Sequence, residues 1–254
     1  MAHRIGVAPT ARARGFTLIE LLVVIAIVAM LVGMLLPALG SARDSAWSVQ
    51  CTARMRTLAQ ASSFYADDHD DEIPRSKHSV GFSGTLPWAP ALFRYVTGRA
   101  FGGDSGLWQD PSWWSATNEH YRCPHDRRES PVERPGLPFK TAALSYALNV
   151  YYELEMGEID PGSPSTREPF KTRARVPRPS STVLLADLDA DLSTDHIMAH
   201  FWTRGVPAGH EVATDRHGDG TGFVYLDAHA RTAPFGRTYD ASSDLDAWNP
   251  AAAR

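Results

Sequence analysis

Asp187, Asp189, Asp191, Ser193 and Asp195 place oxygen donors at alternate positions along one short stretch. Alternating carboxylates are the donor type that holds a hard cation such as Ca2+. An EF-hand would also need Gly at the sixth position and Glu at the twelfth, where Leu192 and Met198 stand. Two readings remain: an irregular Ca2+ site on Asp187, Asp189 and Asp191, or an exposed polar loop after a strand. His196 and His200 have the spacing of one helix face, and His210, His217 and His229 follow them. A zinc hydrolase with that spacing carries Glu beside the first histidine, where this chain has Ile197. Cys51 and Cys123 are too few for a disulfide scaffold or a four-cysteine zinc site, and form either one disulfide or two buried thiols. No phosphate-binding glycine loop and no nucleophile elbow is present.

One further chemical group stands in an unusual place. Glu20 is the single charge among the 24 residues from Phe16 to Leu39, a run apolar on every helical face. That length suits a bilayer span, which takes about 20 apolar residues, better than the shorter core of a cleaved secretory signal. A carboxylate there costs roughly 2.5–3.5 kcal/mol at the bilayer centre and less near an end, so it requires a function. Cleavage after Gly15 would provide one. The new α-amine of Phe16 would lie about one turn from Glu20, on the same chain or a neighbour.

The elements that carry these groups follow from periodicity. Helical pattern continues past the apolar run, with Val49, Met55, Leu58, Ala59, Ala61 and Ser62 approximating one face. A helix from Phe16 to about Tyr65 would be ~75 Å long. The acidic run Asp67–Glu72 and Pro74 should end it, as a solvated terminus or a cation-binding patch. Residues 75–140 are rich in Gly, Pro and aromatics, including Trp88, Trp108, Trp113 and Trp114, and read as loops packed onto a core or as a ligand surface. Thr182–Asp187 reads as a buried strand. Gly222–Leu226 and His229–Ala233 read as a hairpin about the two-residue turn Asp227-Ala228, where Ala is a poor substitute for Gly.

Gly15-Phe16-Thr17-Leu18-Ile19-Glu20 before an apolar run resembles the prepilin motif of type IV pilins and type II secretion pseudopilins. The resemblance implies that a prepilin peptidase cuts after Gly15 and methylates Phe16, with Glu20 as the fifth mature residue guiding assembly. Pro37 falls at mature position 22, where many pilins also carry a proline. Cys51, Tyr65-Ala66-Asp67-Asp68, Cys123-Pro124-His125-Asp126, Ser145–Asn149 and Pro179–Thr182 further resemble a planctomycete-type pilin-like subfamily with a His-x9-Asp-Gly motif. Here the motif reads His217, nine residues, Asp227 and then Ala228 in place of Gly. His217 and Asp227 are expected to hold the hairpin through hydrogen bonds.

The resulting expectation is an α+β chain with a long N-terminal helix packed on a small antiparallel sheet. Residues 1–15 are the leader, 16–40 the transmembrane assembly helix, 41–72 its amphipathic continuation and 73–254 the head. Arg4, Arg12 and Arg14, with no acid among the first fifteen residues, place the N-terminus in the cytoplasm and the head across the inner membrane. The net charge of −4 argues against a protein built to bind nucleic acid through a basic face, and no nucleic-acid partner is expected. Expected partners are the prepilin peptidase, other pilin-like subunits and an inner-membrane assembly platform. A structural subunit without catalysis is the leading reading. The alternative is a membrane-anchored metal-dependent hydrolase or ligand-binding envelope protein.

Overall fold

One helix, α1, runs from Leu18 to Asp68 with Pro37 inside it; its Leu, Ala and Met residues are strong helix formers, and they carry it through the Ile- and Val-rich stretch 19–32. The computed structural model describes residues 16–79, 86–99, 111–129, 143–192, 194–218 and 220–254. Gly15 and the rest of the leader, Trp108 and Ser193 lie outside the described residues. The chain divides into two units, Met1–Arg43 and Asp44–Arg254.

In the first unit, the large apolar side chains from Phe16 to Leu39 are exposed on all sides of α1. Among the described residues this is the one helix long and apolar enough to cross a membrane.

The second unit contains the remainder of α1, and burial there begins with Cys51. Cys51, Met55, Leu58, Ala59, Ala61, Ser62 and Ala66 form the inward stripe, so Met55 to Ser62 follow the periodicity. Val49 does not: it is 70% exposed, and Cys51 takes the inward position. Full burial of Met55 or Leu58 contributes roughly 1.5–3 kcal/mol each. Asp70 and Asp71 end α1 in left-handed conformations, at φ 51° and 66°. The acidic run there is a docking point. Arg173 donates to Asp67 at 2.6 Å and Asp71 at 2.7 Å, and Lys171 lies 2.5 Å from Glu72. Burial raises the Asp71 carboxyl, but hydrogen bonds from Ala174 and Arg173 outweigh it and leave the group below its ordinary range.

Five strands form the main sheet: β1 (Tyr146–Asn149), β2 (Val183–Asp187), β3 (His196–Ile197), β4 (Thr221–Tyr225) and β5 (Ala230–Ala233). Their order is β3-β1-β2-β4-β5. All neighbours are antiparallel except β1 and β3, which run parallel, so the sheet is mixed rather than wholly antiparallel. Both faces of β1, β2 and β4 are covered, which is why β2 reads as a continuous apolar run. Tyr146, Leu148, Leu185 and Val224 pack with the α1 stripe, Trp88 and Trp113. Ala147, Ala186, Phe223 and Tyr225 pack with Trp202, Trp248 and Tyr239 on the opposite face. Leu184 and Leu185 both join the α1 side because the β2–β4 register shifts between Val183 and Leu185. A small ribbon of β6 (Tyr239–Asp240) and β7 (Leu245–Asp246) completes the strands among the described residues.

The β4–β5 connection differs from the two-residue turn read from sequence. Tyr225 N donates to His229 O and Ala228 N to Tyr225 O, both at 2.9 Å, which closes a three-residue loop of Leu226, Asp227 and Ala228. Ala228 stands at φ 69°, the left-handed position that such a loop reserves for Gly.

Candidate functional site

Glu20 is the first sequence-selected group, and the helix start explains its local geometry. Thr17 precedes α1 and its N–H donates to Glu20 Oε2 at 2.8 Å, while Glu20 N–H donates to Thr17 Oγ1 at 3.2 Å. This reciprocal pair is a capping box, which satisfies two orphan donors of the first turn. Its signal, Thr-x-x-Glu before an apolar run, stands in the sequence and was missed by reading Glu20 only as a charge. Phe16 is exposed beside it.

The second site is a buried hub under the head portion of α1. Cys51, on α1, and Cys123, in the loop after α2 (Pro111–His120), form a disulfide with Cα atoms 5.0 Å apart. The bond spans 72 positions, and on the chain-entropy account a loop of that size contributes about 4 kcal/mol. His217 sits against it, with Nε2 3.7 Å from Cys123 Sγ and Nδ1 3.2 Å from Ser48 Oγ on α1. The same Nε2 lies 3.1 Å from Asp187 Oδ2, and the His217 side chain is 1% exposed.

Asp187, the last residue of β2, is fully buried. Its Oδ2 accepts the Gly222 N–H at 2.6 Å, and its Oδ1 accepts from Arg216 Nη1 at 3.2 Å. Arg216 also donates to the carbonyls of Ser145, at 2.8 Å, and Leu188. A buried carboxylate needs such partners, because an unpaired one is strongly destabilising. A Cβ on Gly222 would stand 2.8 Å from Met55 Sδ and 2.9 Å from Asp187 Oδ2, so this approach requires glycine. The hub thus ties α1, β2, β4 and the turn before β4 together. Beside it Arg128 grips Asp126 through Nε at 2.9 Å, and Ser145 Oγ donates to the same carboxylate at 2.5 Å. Burial raises Asp126, but these bonds prevail and bring it down to about 2.

The other sequence-selected groups disperse. Asp187 is held in the hub, Asp189 Oδ1 accepts the Asp191 N–H at 2.8 Å, and Asp191 is exposed. Among the described residues these three do not converge on a common ligand position. Asp195 is buried and accepts from Lys77 N and pairs with His196 Nδ1 at 2.9 Å. His196 lies in β3 and His200 in the 3-10 helix Ala199–Arg204, so they share no helix face. Asp227 pairs with His229 Nδ1 at 2.6 Å, whereas His217 pairs with Asp187; the two motif residues do not bond each other. Sequence spacing singled out His217 but not Arg216 or Gly222, whose partners lie 29 and 35 positions away. The one group of three Cys, His, Asp or Glu ligand atoms close enough to share an ion, among the described residues, is Cys51, Cys123 and His217.

Residues 10–36 match the prokaryotic N-terminal methylation motif. The match covers the leader's end, Gly15 to Glu20 and most of the apolar helix, and supports a type IV pilin-like family. It favours a structural subunit over an enzyme, and implies processing by prepilin peptidase and assembly with other pilin subunits. The apolar helix and the motif together fit a single-pass inner-membrane anchor. No curated protein and no solved structure matches the chain.

Proposed function

We propose that this chain is a pseudopilin-type structural subunit, cut after Gly15, methylated at Phe16 and assembled into a type II secretion or type IV pilus-like filament. The observation that carries the reading is the coincidence of the methylation motif with an outward-facing apolar helix. Side chains from Phe16 to Leu39 are exposed on every face of α1, and burial in the head begins only at Cys51. Such a surface is stable in lipid or packed against like helices, and both environments belong to the life of a pilin-like subunit. The N-terminal arginines orient the head to the extracytoplasmic side. In the filament, Glu20 neutralises the Phe16 amine of a neighbouring subunit, which sets the stagger between helices.

The capping box gives Glu20 a second duty, and two substitutions separate the duties. Glu20→Gln keeps an oxygen for the Thr17 N–H but removes the charge, whereas Glu20→Leu removes both. Both chains are expected to be cleaved after Gly15, as read by intact mass, and neither is expected to enter filaments, as read by shearing and cross-linking. Normal incorporation of Glu20→Gln would show that the cap alone matters and would refute the charge-pairing role.

A further inference from the structure

We propose that Cys51, Cys123 and His217 form a redox-gated metal site, which binds one zinc-class ion when the disulfide is open and none when it is closed. The geometry of the closed form already approaches a metal shell. Around a tetrahedral zinc with S at about 2.3 Å and N at about 2.0–2.1 Å, neighbouring sulfur and nitrogen ligands lie roughly 3.6 Å apart. His217 Nε2 and Cys123 Sγ are 3.7 Å apart. The three ligand atoms all fall within 4.8 Å of one another. The two sulfurs must separate, to roughly 3.8 Å, the spacing of two thiolates on one ion.

The surroundings favour binding in two ways. His217 has its Nδ1 beside Ser48 Oγ at 3.2 Å, so Nε2 is the nitrogen turned toward the sulfurs. A hydrogen-bonded far nitrogen is the usual support of a metal-ligating imidazole. Asp187 Oδ2, 3.1 Å from Nε2, lies outside that group of three ligand atoms and stays with Gly222 and Arg216, so the fourth position falls to a water oxygen. The charge balance also suits a buried place. Two thiolates and one divalent cation sum to zero, and the Asp187 charge is already offset by Arg216.

The two states exclude each other chemically. A dithiol reductant delivers two electrons and two protons; the Cys51–Cys123 bond breaks, and the reductant leaves as its own disulfide. The ion then displaces the two thiol protons to solvent, so that both sulfurs ligate as thiolates. Oxidation by a disulfide-bearing partner takes back two electrons, re-forms the bond and releases the ion.

The test uses the full chain in detergent micelles under anaerobic conditions. A phosphine reductant opens the disulfide without adding a competing thiol, and Co2+ serves as the spectroscopic probe. The reduced chain is expected to bind one Co2+ with thiolate-to-cobalt absorption in the near ultraviolet and tetrahedral bands in the visible, both bleached by Zn2+. The oxidised chain is expected to show neither. His217→Gln is expected to weaken Co2+ binding about tenfold or more. Absence of the thiolate absorption from the reduced chain at equimolar Co2+ would overturn the proposal, as would unchanged affinity in His217→Gln. Should that variant fail to fold, cadmium-113 resonance of the reduced parent chain decides. A shift typical of two sulfurs and one nitrogen supports the site, and one typical of oxygen ligands alone overturns it.

Discussion

Ala228→Gly is expected to stabilise the head, although it removes a methyl group and adds flexibility. Ala228 sits at φ 69° in the three-residue β4–β5 loop. The left-handed conformation costs an L-residue roughly 1–2 kcal/mol, and Gly avoids that cost. Against this, Gly has a more variable unfolded chain, which takes back about 0.5–1 kcal/mol. The methyl is only partly buried against the α1-side core, so its loss is a smaller term. The net gain is about 0.5 kcal/mol. In a domain of ~200 residues each kcal/mol moves Tm by about 2–4 °C, so the gain is about 1–2 °C. A second substitution magnifies the contrast. Ala228→Val places a β-branched side chain at positive φ and should destabilise by about 1–2 kcal/mol. The assay is thermal unfolding, followed by circular dichroism, of oxidised chains lacking residues 1–43. Among the described residues, that truncation keeps every buried hydrophobic one, the first of which is Cys51. The order Gly above Ala above Val is the expected result. A Gly variant melting below the parent, or a Val variant melting with it, would refute the argument that backbone strain is stored at Ala228.

Two more expectations concern the head. Gly222→Ala sets a Cβ within 2.8 Å of Met55 Sδ and 2.9 Å of Asp187 Oδ2, and should destabilise by about 1–3 kcal/mol, read as a lower urea midpoint at unchanged slope. His200 is 3% exposed with no partner for Nδ1, and burial, followed by the nearby Arg204 charge, lowers its pKa to about 4. Because the folded value lies below the ordinary 6.5, the unfolded chain binds the proton more readily. The stabilisation is therefore complete above pH 6.5 and lost as pH falls through about 4, a change of about 3 kcal/mol. Glu158, His78 and His196 also face this group, so stability should be followed in both parent and His200→Phe between pH 7 and 4. A parent curve as flat as the variant's would show that His200 titrates normally.

How far the chain could be read in advance depended on the range of the interactions. The apolar run, the methylation motif and the inward face of α1 from Met55 to Ser62 involve residues adjacent or one turn apart. Composition and 3.6-residue periodicity express such features directly. The Thr17–Glu20 capping box is equally local, since the Thr-x-x-Glu spacing alone sets its two hydrogen bonds.

The sequence by itself determined that this protein carries an apolar helix with one carboxylate near the helix start, and that a helical stripe leads into an α+β head. Tertiary structure alone decided what the head's polar groups do. Asp187 read as a ligand because Asp189 and Asp191 follow it, yet β2 ends at Asp187 and carries its carboxylate to Arg216, His217 and Gly222. The parallel pairing of β3 with β1 and the meeting of Cys51, Cys123 and His217 have the same origin. These contacts join residues that lie tens of positions apart, where local pattern has no reach. A buried charge takes whichever partners the packed chain brings within hydrogen-bond distance, since remaining unpaired there is costlier than any local preference.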